Sequence, residues 1–331
     1  MYDANRYFDN KIISFLSGKG GTGKTSIVTN LGFYLAMNNA KVLLLDMDFF
    51  TRGLTFYITK GTKSFEGSIF DTLRDKEDFR LTPILPENLY LLPPFEEILD
   101  LTSSTQIDEA FKLHRESFAR LLDDLKQKFD FILIDQRSGI DPLTISSALC
   151  SDAYIIVTEE DRTSQRTSHL LMQVLEDYKK KLDVGRKNGA FLGFIVNMYT
   201  TKFGSDLIQF LETSVFEQRC LAAIPHFSTV RKVFVRDEIM VQKRKNHYFS
   251  REINSLAETL RGRKVLNSFL RAKRRRRLDL LIPAIIGMLA VYASGTSYFL
   301  FQQKKLLDVE GLMITLLPLI LYTIWLLIRR D

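Results

Sequence analysis

From Lys11 to His226 the chain alternates between two hydrophobic periods. Short apolar runs with β-branched or aromatic content recur as KIISFLS from Lys11, KVLLLDMD from Lys41, NLYLLPP from Asn88 and FDFILID from Phe129, then AYIIVTEE from Ala153, AFLGFIVNM from Ala190 and CLAAIPH from Cys220. Apolar runs without polar alternation predict strands buried on both faces. Between most of them the apolar positions step by three and four. Ile27, Val28, Leu31, Tyr34 and Leu35 do so, and so do Phe111, His114, Phe118, Leu121, Leu122 and Leu125. Strands alternating with helices predict βαβ units, hence an α/β fold with a mostly parallel sheet flanked by helices.

The pattern then changes. From Leu280 to Phe301, LLIPAIIGMLAVYASGTSYFLF carries no charge, and from Gly311 to Ile328, GLMITLLPLILYTIWLLI carries none either. As helices they reach about 33 Å and about 27 Å, against a hydrocarbon core of about 30 Å. Buried core helices are the alternative, but uncharged runs of this length meet the threshold for a membrane span. The short linker QQKKLLDVE makes the pair a transmembrane hairpin, 278–331. The basic run 271–277 before it and Arg329 and Arg330 after it place both ends on the cytoplasmic side. The expectation is a globular domain over 1–260, a basic segment over 261–277, and a two-helix anchor in the inner (cytoplasmic) membrane.

Charge sharpens that division. The net charge of the whole chain is +7, and 261–277 alone carries nine basic residues and no acidic one. Residues 278–331 balance, so the body, 1–260, stands at −2. A general nucleic-acid-binding charge is not supported; a local basic stripe suited to anionic lipid is. The apolar fraction, 46%, allows a sizeable core. Two distant cysteines, Cys150 and Cys220, argue against a disulfide framework and suit a reducing cytosol. The histidines at 114, 169, 226 and 247 show no metal-ligand spacing. The opening MYDANRYFDNKIISFL has only IISFL as an apolar run, so no secretory signal is expected.

Candidate chemistry sits between the first strand and the first helix. Ser17 to Ser26 reads SGKGGTGKTS, which fits G-x-x-x-x-G-K-[ST] from Gly18 to Thr25. Glycines turn backbone N–H groups inward and the helix N-terminus adds its positive end, so the stretch predicts a phosphate cradle. Lys24 would reach β- and γ-phosphates, and the Thr25 hydroxyl would bind Mg²⁺.

SGKGGTGKTS followed by KVLLLDMD resembles the deviant phosphate-loop ATPases of the MinD/ParA family, whose hallmark is K-G-G-x-x-K-[ST]. FDFILIDQRSGID, FIVNMY and AAIPHFSTVRKVFVRDEIM extend the resemblance over roughly residues 11–260. It implies a P-loop ATPase fold that binds ATP and Mg²⁺ through Gly20, Gly21, Thr22, Gly23, Lys24, Thr25 and Ser26. It also implies an ATP-dependent homodimer in which Lys19 crosses to the partner's phosphates. By the same resemblance Asp48 polarises the attacking water, Asp46 supports the Mg²⁺ shell, Asp135 binds Mg²⁺ through water, and the Gly139 N–H meets the γ-phosphate. One departure stands out. Where the family reads D-T-P-A-G, this chain has Asp135-Gln136-Arg137-Ser138-Gly139, leaving Arg137 to touch phosphate in cis or to face a partner or solvent. The guanine-reading N-K-x-D is missing from Asn197-Met198-Tyr199-Thr200. Asn197 and Pro225 match the family's adenine side, which favours ATP.

The expected function is a membrane-anchored ATPase switch that dimerises on ATP and recruits a partner protein. Two alternatives are a tyrosine-kinase-like ATPase of polysaccharide export and a ParA-like ATPase that binds the nucleoid through Arg231, Lys232, Arg236, Lys243, Arg244 and Lys245. The first is weakened because it calls for a C-terminal tyrosine cluster, and Tyr322 is the only tyrosine in 302–331. For the second, a solvated or lipid-facing basic surface is the plainer reading.

Overall fold

The computed structural model describes residues 11–61, 81–85, 88–94, 116–181, 189–200 and 204–262, with isolated positions between 65 and 72. The expected hairpin, most of the basic segment, Phe111 and His114 lie outside the described residues. Among the described residues no helix is long and apolar enough to cross a membrane.

Eight strands form one sheet: β1 (Ile12–Leu16), β2 (Val42–Met47), β3 (Thr82–Leu85), β4 (Leu89–Leu92), β5 (Phe131–Gln136), β6 (Ala153–Thr158), β7 (Ala190–Tyr199) and β8 (Cys220–Pro225). Their order is β3-β4-β2-β5-β1-β6-β7-β8. All seven expected runs are strands, and they pair in parallel. The periodicity passed over β3, a short antiparallel edge strand. It carries Pro83, which lacks the N–H a central ladder needs and which an edge tolerates.

β1 lies between β5 and β6, so the chain leaves it in one direction and later returns on its other side. Ligands of open α/β sheets bind at such a switch point, beyond the carboxyl ends of the strands. The pleat sends alternate side chains to opposite faces. Ile13 and Phe15 enter one core. There they meet α1 (Lys24–Met37) and the helix Tyr248–Leu260, through Leu31, Leu35, Ile253 and Leu256. Ile12 packs on the other face with Phe118, Leu122 and Leu125 of the helical residues 116–126. Leu16 faces Leu171 and Leu175 of the helix Arg162–Lys181. α1 is apolar on nearly all sides because it is enclosed by the sheet and by the helix Tyr248–Leu260.

His247 caps the start of the helix Tyr248–Leu260, with its Nδ1 accepting from the Phe249 N–H at 3.2 Å. Only an unprotonated ring nitrogen can accept. Burial, helped by the charges of Arg244 and Arg251, holds the imidazole below the usual histidine range. A group with a lowered folded pKa contributes fully above its unfolded value, about 6.5, and loses that contribution as pH falls through the folded value. The hydrogen-exchange protection of the Phe249 amide should therefore fall about fivefold on acidification through and below the usual histidine range, the scale of a lost N-cap. His247→Asn keeps an acceptor and should remove that acid step. An acid step of equal size in the variant would show that the cap is not its cause.

Candidate functional site

Beyond Leu16 the chain turns through residues 17–23 and enters α1 at Lys24. α1 begins with no side-chain cap and no acidic residue in its first turn. Its first N–H groups and its positive dipole end are therefore left for an anion. The loop is held from two sides. A Cβ on Gly18 would stand 2.5 Å from the Thr167 backbone, so only glycine lets the loop pass the helix Arg162–Lys181. From the end of β7, Asn197 donates its Nδ2 to the Thr22 carbonyl at 2.7 Å. Gly20 and Gly21 form the exposed crown, and the Ser26 carbonyl accepts from Asn30.

Three expected residues meet beneath the loop. Lys24 Nζ lies 2.8 Å from Asp135 Oδ1, with side chains 7% and 2% exposed. Thr25 donates its hydroxyl to Asp135 Oδ2 at 2.7 Å. Asp46 is the cross-strand neighbour of Asp135 and is fully buried. Burial first, then the charge of Asp135, pushes its carboxyl up to about 7, against the hydrogen bonds it accepts from Thr55 and from the Asp48 N–H. Asp46 thus ties the loop after β2 to the helix Gly53–Thr59.

Two expected residues face elsewhere in this state. Asp48 turns its carboxylate into its own loop, accepting from the Phe50 and Thr51 N–H groups at 3.2 and 3.0 Å and from the Thr51 hydroxyl. The Gly139 N–H donates to the Ser17 carbonyl at 2.9 Å rather than standing open. Its φ of 117° is in a region that other residues rarely adopt.

The departure after Asp135 has a definite arrangement. Gln136 is buried, donating to Ser14 at 3.1 Å and accepting from the Ser147 hydroxyl at 2.7 Å. It ties β5 to β1 and to the helix Pro142–Cys150, so the loop, half-buried over 137–141, begins only at Arg137. Arg137 is half-buried, and its guanidinium sits 4.2 Å from the Phe50 ring centroid. Lys19 Nζ lies 3.2 Å from Asp161 and 3.7 Å from Glu159 of its own chain.

Beside the loop opens a cleft of about 460 Å³. Its lining includes the glycine backbone with Lys24 and Thr25, and Asn197, Pro225, Phe227, Val230, Phe234 and Phe249. Backbone N–H groups suit phosphates and apolar side chains suit a flat base. The sequence reading missed Phe227, Val230 and Phe234, although FSTVRKVFV after His226 carries their apolar spacing. It also missed Glu159 and Asp161, which carry no pattern linking them to Lys19.

The donor set can be tested for Mg²⁺. Among the described residues no group of three or more His, Cys, Asp or Glu could hold a metal. One carboxylate plus one hydroxyl, completed by water and substrate phosphate, is nevertheless how Mg²⁺ is commonly bound. Thr22 Oγ1 is buried without a hydrogen-bond partner, an orphan that a bound phosphate could satisfy. The residues fit.

Septum site-determining protein MinD of Synechocystis is 32% identical over 175 residues, which cover 50% of this chain and 60% of that protein. The chain therefore spans less than two thirds of that relative's length. Chromosome-partitioning ATPase Soj of Treponema pallidum is 28% identical over 202 residues, 58% of this chain and 73% of that protein. Among solved structures, MinD complexed with Mg-ADP from Pyrococcus horikoshii superimposes with a TM-score of 0.60 at 25% identity, covering 75% of this chain and 94% of that one. A model of the AAA domain, AAA_31, matches residues 10–185, more than half of the chain and the whole run from the glycine loop through Asp46 to Asp135. The protein belongs to the AAA_31 family of AAA domains.

Proposed function

We propose that the protein is a membrane-anchored, ATP-dependent dimerisation switch that hydrolyses ATP to ADP and phosphate and positions a partner protein at the cytoplasmic membrane face. The observation that carries the reading is the convergence of Lys24 and Thr25 on buried Asp135, under an uncapped helix N-terminus that opens on a cleft of nucleotide size. The names of the relatives, a septum-site protein and a partitioning ATPase, support it.

Thr25 and Asp135 would hold Mg²⁺, which when bound neutralises charge on the β- and γ-phosphate oxygens. Lys24 would exchange Asp135 for phosphate, keeping its charge paired throughout. Asn197 keeps the loop in register from the adenine side, and Pro225 walls the base pocket. Asp48 would leave the Phe50 and Thr51 amides to orient the attacking water, and the Gly139 N–H would leave Ser17 for the γ-phosphate. Lys19, so far held by Asp161 and Glu159, would meet the phosphates of a second copy.

Anchoring is supported by the two uncharged apolar runs, 280–301 and 311–328, since a spanning helix is far harder to extract than an interfacial one. The nine basic residues of 261–277 add about 1 kcal/mol each where they lie near an anionic leaflet. The full-length protein should hydrolyse ATP with Mg²⁺ and stop on chelation. It should also stay in the membrane pellet through carbonate and high-salt washing, with or without ATP. Mg²⁺-independent phosphate release would sink the ATPase reading. Extraction by carbonate, or release on hydrolysis, would sink the anchor.

A further inference from the structure

The geometry points to a latch between the two loops that flank the nucleotide site, formed by Phe50 and Arg137, with Arg137 a positioning residue for hydrolysis; this rests on the ATPase reading above. The guanidinium lies 4.2 Å from the ring centroid. Phe50 is 42% exposed, so the contact is not imposed by burial in the core. A cation over an aromatic face is attracted by the ring quadrupole.

Each partner is fixed to catalytic machinery on its far side. The Phe50 N–H donates to Asp48 at 3.2 Å, and the Thr51 N–H donates to the same carboxylate oxygen at 3.0 Å. The Arg137 carbonyl accepts from the Thr144 hydroxyl at 3.5 Å, and two residues on, the Gly139 N–H is bonded to Ser17 at the entry of the glycine loop. One path of contacts therefore runs from Asp48 through the Phe50 ring and Arg137 to Gly139 and Ser17. If Asp48 turns towards water, its bonds to residues 50 and 51 open and the ring shifts. If the Gly139 N–H turns towards phosphate, the segment carrying Arg137 shifts. Either motion disturbs the stack. The stack stabilises the resting arrangement of both loops and makes them release together.

The test uses the full chain in nanodiscs. Phe50→Leu and Arg137→Gln should each raise basal Mg·ATP turnover by the same factor, about two- to fivefold, the scale of an exposed cation–π contact. The double variant should rise no further, because both changes remove one contact. The KM for ATP should stay within about twofold of the parent's, and Phe50→Tyr, which keeps the ring, should rescue the effect. Unchanged turnover in both single variants, or additive rises, would overturn the latch. A second readout does not depend on turnover. The chain has one tryptophan, Trp325, so Phe50→Trp in a Trp325→Phe background leaves a single reporter at the latch. Without nucleotide, adding Arg137→Gln should increase its quenching by acrylamide, and unaltered quenching overturns the latch. A parent that hydrolyses no ATP would refute the ATPase reading while this quenching result still decides the latch.

Discussion

Lys24→Ala is expected to abolish measurable nucleotide binding, with a loss of at least about 100-fold in affinity for Mg-ADP, the scale of a lost charge-assisted contact in a buried site. The lysine is 7% exposed and its ammonium stands 2.8 Å from Asp135. It is therefore already desolvated, and moving it onto phosphate replaces one anionic partner by another. Alanine removes that cation and does something further. Asp135 is 2% exposed and faces fully buried Asp46 across the strands. Without Lys24 the two carboxyl groups have no cation in contact among the described residues, and breaking a buried pair from one side costs about 3–5 kcal/mol. The variant should lose stability as well as ligand, with a melting temperature lower by about 10 °C. Calorimetric titration with Mg-ADP and a thermal melt of the same sample separate the two losses. Lys24→Arg restores the charge opposite Asp135 and should recover most of the stability, while its planar head fits the loop poorly and binding stays weak. Binding of Lys24→Ala within threefold of the parent would remove Lys24 from the phosphate site.

Burial decides what was legible in the sequence. Parallel strands covered on both faces must be apolar at nearly every position, and β1, β2, β5, β6 and β8 are buried throughout, so their runs could be read directly. β3 was hidden because only Thr82 of its four residues is buried, so the other three obey no such constraint. The site divides in the same way. Lys24, Thr25 and Asp135 were legible because the glycine loop and the end of an apolar strand are local patterns, and the topology brings the loop after β1 beside the end of β5. Gln136 was not. It follows the apolar run that ends at Asp135, yet it is the last residue of β5 and its amide is consumed by Ser14 and Ser147, on other elements of the fold. The carboxylates beside Lys19 come from the turn after β6, far downstream in the chain. Asp48 and Gly139 were legible as positions but not as states, because each can exchange one hydrogen-bond partner for another. The present partners, Phe50 and Thr51 for one and Ser17 for the other, follow from loop geometry that no residue pattern records.

Lys19→Ala should leave ATP binding to a single copy nearly intact and remove ATP-dependent dimerisation, with turnover down by about 10³-fold if the lysine acts as a finger supplied in trans. The two lysines of the loop differ in direction. Lys24 points beneath the loop to Asp135, whereas Lys19 points outward to Asp161 at 3.2 Å and Glu159 at 3.7 Å, with 40% of its side chain exposed. In the single copy its charge is engaged by acidic groups of its own chain, so its removal takes nothing from the phosphate cradle. In a dimer those same acids compete with the partner's phosphates for it. Asp161 also caps the helix Arg162–Lys181, its other oxygen accepting from the Ser164 N–H at 3.0 Å. Asp161→Asn keeps an acceptor for that cap and removes the competing charge. It should therefore shift dimerisation to lower ATP concentration while Lys19→Ala abolishes it, and the two changes together should behave as Lys19→Ala alone. Energy transfer between labelled full-length copies in nanodiscs, titrated with ATP in the presence of Mg²⁺, reads all three. Parent-like dimerisation of Lys19→Ala would exclude the lysine from the interface. A shift to higher ATP in Asp161→Asn would make the acidic pair a guide for Lys19 and not its competitor.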